Sequence, residues 1–204
     1  MKPLNTYIIE KLIIKKRKIV DYKYFPKTKK EVKDLIKQRI EQEGNNVDLN
    51  NIDVSNITDM SSLFVGTDFN GDISNWDVSN VTNMDHMFCE CKHFNCNLSN
   101  WNVSRVYNMI STFAMCHNFE GKGLENWDVS NVTDMLYMFY KCDAFNQDIS
   151  GWDVSNVKDM RFMFYGCKLF NQDISGWDVS NVIYMYDMFY GCEKLKSLQK
   201  FYKK

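Results

Sequence analysis

Seven cysteines, three histidines and a row of evenly spaced aspartates are the side chains in this sequence with types suited to metal binding, disulfide formation or nucleophilic attack. Five of the cysteines, Cys91, Cys116, Cys142, Cys167 and Cys192, each follow a phenylalanine by three residues. One small sulfur side chain per repeat suits a buried apolar position, and seven thiols cannot all pair within one chain. Cys89 and Cys91 are too close together for a C-x-x-C ligand pair, and no second pair follows. The cysteines are therefore expected to be reduced and structural, with Cys89 and Cys96 outside the row. His86, His93 and His117 share no repeat position, so they build no array. Asp53, Asp77, Asp128, Asp153 and Asp178 do share one, interrupted by Asn102. Like charges stacked about 4.8 Å apart repel. The row is expected to survive because each carboxylate accepts backbone N–H groups in its own turn. A cation- or partner-binding stripe is the competing reading. No nucleophile–base motif, Gly-rich phosphate loop or metal-ligand set is present, so no enzyme, cofactor or metal centre is predicted.

The elements that position these residues are copies of one unit. A valine recurs at Val54, Val78, Val103, Val129, Val154 and Val179, in steps of 24, 25, 26, 25 and 25 residues. A methionine follows each six residues later, from Met60 to Met185, and a phenylalanine four beyond that, from Phe64 to Phe189. A fixed period of this length marks a stacked-repeat protein. Within the copy from Asn70 to Phe94, Ile73, Trp76 and Val78 read as a short extended rung. Asp77, Ser79 and Asn80 suit the turn after it. Val81, Met84, Met87 and Phe88 then follow at i, i+3, i+6 and i+7, which predicts a two-turn helix. Trp76, Trp101, Trp127, Trp152 and Trp177 are expected to form a core ladder, as are the methionines and the series Phe69, Phe94, Phe119, Phe145 and Phe170. Asn56, Asn80, Asn131, Asn156 and Asn181, with Arg105 in the third place, are expected to bridge successive backbones.

Three segments follow from composition. Residues 1–44 read as a helical N-terminal cap and docking segment, residues 45–198 as the repeats, and residues 199–204 as a basic tail. Leu4, Ile8, Ile9, Leu12 and Ile13 give a short amphipathic helix. Thr28-Lys29-Lys30-Glu31 is a capping box that opens a second helix over about Lys29 to Glu43, closed by Gly44. Residues 1–43 hold 13 Lys/Arg and 6 Asp/Glu, whereas residues 44–192 hold 7 and 19. An acidic body does not suit nucleic acid, whose phosphates need a positive surface. No apolar run approaches the roughly 20 residues of a membrane span. No secretory signal with a small-residue cleavage site is visible, and the compartment is left open.

The pattern Cys-x-x-Phe-x-x-x-Ile-x-x-Trp-x-Val-Ser-x-Val-x-x-Met-x-x-Met-Phe-x-x-Cys resembles the BspA-like leucine-rich repeat, in the form found in bacterial surface proteins and mycoplasma lipoproteins. The resemblance covers about Asn45 to Leu198. It implies an α/β fold: a right-handed leucine-rich-repeat-like solenoid of about six 24–26-residue repeats. It also implies a non-catalytic protein-binding role, often adhesion at a cell surface. It carries over no catalytic residue. Two alternatives stay open: an accessory component of a larger (phage-like) assembly docked through residues 1–20, and a glycan-binding surface protein. Repeat proteins bind through positions that vary between copies. Those positions single out Tyr137, Phe162 and Tyr186, and the adjoining row Tyr140, Tyr165 and Tyr190, as the candidate partner-binding residues. Tyrosine gives contact area and a hydroxyl at low entropic cost. The second row equally suits a packing ladder.

Overall fold

The computed structural model describes residues 21–196. The amphipathic helix expected over Leu4 to Ile14 lies outside them. One α-helix, α1 (Lys29–Glu43), precedes the repeats. The Thr28 hydroxyl accepts the Glu31 N–H at 3.2 Å, and the Glu31 carboxylate reaches back to the Lys27 N–H at 2.7 Å. Gly44, at φ 86°, closes the helix by donating to the Ile40 carbonyl, a backbone state that favours glycine. α1 buries Val32 and Ile36 against the first repeat. Arg39 is buried beside them and fully engaged: it pairs with Glu43, donates to Asn51 Oδ1 and the Asp48 carbonyl, and lies over the Tyr24 ring. The preceding segment is more than a connector. Tyr24 bridges Ile52 in parallel, and the Asp53 N–H donates to the Tyr24 carbonyl. Among the described residues no helix is long and apolar enough to cross a membrane.

The repeats stack on one another through backbone hydrogen bonds. One parallel bridge per copy links Asp59, Asn83, Asn108, Asp134, Asp159 and Tyr184 in succession. Beyond it, alternate N–H groups of one copy donate to the next: Met84, His86, Phe88 and Glu90 to the carbonyls of Asn108, Ile110, Thr112 and Ala114. The same four bonds recur at all five junctions between copies.

The helix expected over Val81 to Phe88 is not there. The segment is a run of β-turns, closed by Met87 N–H to the Met84 carbonyl, Cys89 to His86 and Cys91 to Phe88. The third residues of the first and last of these turns are left-handed, with φ 55° at His86 and 64° at Glu90. A type II turn demands that conformation. Apolar spacing of three and four residues fits a chain of such turns as well as a helix. The turns win because they direct N–H groups sideways to the neighbouring copy, where a helix would spend them internally. The only other helical turn described is a 3-10 turn at Leu124–Asn126. It absorbs the extra residue of the 26-residue copy. Gly123 enters it at φ 95°, where a Cβ would sit 2.2 Å from the Ser99 nitrogen.

The core consists of aromatic ladders. Phe88 and Phe94 stack within one copy at 4.1 Å, and Phe88 meets Phe113 of the next at 5.5 Å. Trp101 and Trp127 lie parallel at 6.4 Å. Each tryptophan also donates its indole N–H to a carbonyl of the preceding copy, as Trp127 does to Leu98. Burial and a satisfied polar tip explain why tryptophan suits this corner.

Candidate interaction strip

The rows singled out by repeat variation converge on one surface. Tyr137 and Phe162 stack at 4.8 Å and 7° between ring planes. Phe162 meets Tyr186 edge-on at 5.2 Å. Tyr140, Tyr165 and Tyr190 form a second stack, at 5.1 and 4.9 Å. Tyr137 touches Tyr140 edge-on at 5.3 Å, and Phe162 leans on Tyr165 at 6.0 Å, so the two rows are one strip. The first four rings are half-buried, whereas Tyr186 and Tyr190 are 52% and 64% exposed.

Backbone conformation separates the rows. Tyr137 and Phe162 hold φ 56° and 57°, the left-handed third position of a turn. Other copies put Ser62, His86, Ser111 and Asp187 there. A bulky aromatic side chain in this region is an outlier, at a cost of roughly 1–2 kcal/mol. The turn itself needs no aromatic, as the serine, histidine and aspartate of the other copies show.

Sequence variation alone missed the strip's polar centre. Arg161 forks onto Asp159 through Nε, at 2.9 and 2.8 Å, and donates from Nη1 to the Tyr186 hydroxyl at 3.1 Å. Its guanidinium lies 5.1 Å from the Tyr184 ring and 5.6 Å from that of Tyr186. These bonds to Asp159 raise the Arg161 pKa further above its ordinary value. Burial pushes the neighbouring Asp134 carboxyl up, and the nearby Asp159 charge adds to it. Tyr184 was legible in principle, since it replaces the Asp or Asn of every earlier copy at the bridge position. Ile183, 67% exposed, sits beside it.

The cysteine and aspartate rows are occupied with structural bonds. Each row cysteine donates its thiol to a phenylalanine carbonyl of the preceding copy, as Cys142 does to Phe113 at 2.8 Å. All seven cysteines are free. Burial raises the thiols, Cys91 to about 12 and Cys89 to about 11. Each aspartate accepts the N–H of the serine two residues on, as Asp153 does from Ser155 at 3.0 Å and Asp178 from Ser180 at 3.0 Å. Hydrogen bonds from those serines hold both carboxyls below their ordinary range. Among the described residues no three His, Cys, Asp or Glu side chains gather as a metal site. Asn80, Asn131, Asn156 and Asn181 donate their amides to serine carbonyls of the copy before, and Arg105 reaches Asn80 Oδ1 at 2.8 Å.

No curated protein and no solved structure matches the chain. One family profile matches twice, over residues 31–122 and 108–203, and is described as a Mycoplasma protein of unknown function, DUF285. The two matches run across the described repeats from α1 onward, and the chain belongs to this DUF285 repeat family.

Proposed function

We propose that the chain is a non-catalytic protein-binding module of the surface-protein or adhesin type, wound as a leucine-rich-repeat-like solenoid, whose contact face is the aromatic strip. The observation that carries the reading is the placement of Tyr137 and Phe162 in a left-handed conformation that serine, histidine and aspartate occupy elsewhere. Unfavourable local conformation retained at a half-exposed surface is characteristic of binding sites. The increase in exposure toward Tyr186 and Tyr190, with Arg161 among the rings, fits an interface rich in Tyr and Arg. A glycan platform fits less well. Sugars stack on ring faces, and most faces here are taken by the neighbouring ring.

The test is the double variant Tyr137→Ser with Phe162→Ser. Ser62 and Ser111 already hold this backbone state, so folding should be preserved. Binding to the physiological partner should weaken at least tenfold. Unchanged binding, or unfolding of the C-terminal copies, would refute the site.

A further inference from the structure

The N-terminal cap carries an apolar groove that the aromatic strip does not involve. Residues 21–27 run as an extra rung on the first copy. The Tyr24–Ile52 bridge fixes it, with the Lys23 N–H donating to the Asn51 carbonyl and the Asp53 N–H to that of Tyr24. Successive side chains of an extended segment point opposite ways. Tyr24 therefore packs on the core, while Phe25 turns outward and is 65% exposed. α1 is two-faced as well. Val32 and Ile36 are buried against the first repeat, whereas Glu31, Leu35 and Gln38 line the groove together with Tyr24, Phe25 and Pro26. An exposed apolar groove of this kind marks a contact site.

Charge at the rim does not choose the occupant. Lys30 pairs with Asp34 at 2.9 Å, the Glu31 carboxylate takes the Lys27 N–H at 2.7 Å, and Lys23 stands beside them. Apolar matching and reach choose it. Leu4, Ile8, Ile9, Leu12 and Ile13 share one face at helical spacing. From Leu4 to Ile13 that face is about 14 Å long, against about 10 Å from Glu31 to Gln38 along α1. Seven residues lead from Ile14 to Asp21, enough to span up to about 25 Å. A helix this short needs a surface to lie on.

We propose that the groove between Phe25 and α1 holds residues 4–14 of the same chain, their apolar face against Phe25 and Leu35. The contact has a functional consequence. An assembly docked through residues 1–20 would use that same apolar face, so such a partner has to displace the segment from the groove before it can bind.

Hydrogen–deuterium exchange of the 204-residue chain tests this. In wild type the amides of residues 8–14 should exchange at least about tenfold slower than those of an unstructured peptide, and dilution of the protein should not change this. Phe25→Asp removes one wall of the groove at an exposed position, so the melting curve should stay near wild type. It should return residues 8–14 to peptide rates. Ile9→Asp should do the same from the segment's side, and exchange in the repeats should be unchanged in both variants. Peptide rates in wild type or protection that survives either substitution would overturn the proposal. So would protection lost on dilution, which would make a second copy the occupant.

Discussion

Tyr137 and Phe162 set two opposing quantities against each other. Left-handed backbone costs each about 1–2 kcal/mol, and their mutual stacking returns about 0.5–1.5 kcal/mol. The serine double variant should therefore melt within about 1 kcal/mol of wild type, as thermal unfolding would read. The thiols make a sharper residue-scale prediction. Cys116, Cys142 and Cys167 are raised well above their ordinary value of 9.0 by burial. A raised thiol pKa means the unfolded chain releases its proton first. Stability is therefore full below about pH 9 and falls as pH rises above it, by about 1.4 kcal/mol per unit for each thiol. Denaturant midpoints measured from pH 8 to 10.5 should show this decline. Cys142 and Cys167 should resist alkylation until denaturant is added, and Cys96 and Cys192, which are only half-buried, should react before them. Fast native labelling of Cys142 would contradict the buried row. The roles of these thiols and of the serine-bonded aspartates were legible in the sequence, because one residue type at one repeat position implies one environment. Arg161 was not, since its role depends on Asp159 and on Tyr184 and Tyr186 of the following copy.

At the scale of elements, α1 was legible to its ends because its signals are local: Thr28, Glu31 and Gly44 act within one turn of the helix. Removing the cap with Thr28→Ala should cost about 1 kcal/mol in a thermal melt. Arg39→Ala should cost more, roughly 1.5–3 kcal/mol, because it strips charged hydrogen bonds from Asn51 and the Asp48 carbonyl at a buried site. The repeat units were legible in period and core but not in backbone. Val81, Met84, Met87 and Phe88 carry a helical spacing, yet each N–H from Met84 to Glu90 that points outward has a partner one copy away. Single-chain periodicity cannot reveal that competition. Positive φ at His86 had no glycine to announce it, whereas the position of Glu90 is glycine in three copies, at Gly66, Gly166 and Gly191, a signal that the helical spacing masked.

Taken as a whole, the molecule is held by contacts between adjacent copies, so damage should travel along the stack. Trp127 touches Trp101 and Phe113 and bonds the Leu98 carbonyl. Trp127→Ala should cost roughly 3–5 kcal/mol and lower hydrogen-exchange protection in both neighbouring copies. A melting temperature unchanged within a degree or two would contradict the ladder. Function is a claim at this same scale, because the strip exists only when the copies from Asn131 to Cys192 are stacked. The most direct measurement is calorimetric titration of the protein that co-purifies with the native chain against wild type and against Tyr137→Ser/Phe162→Ser. A loss of at least 1.4 kcal/mol in binding, about tenfold, with the fold intact is the expected result. Equal affinity for the two proteins, or no co-purifying protein at all, would contradict the account.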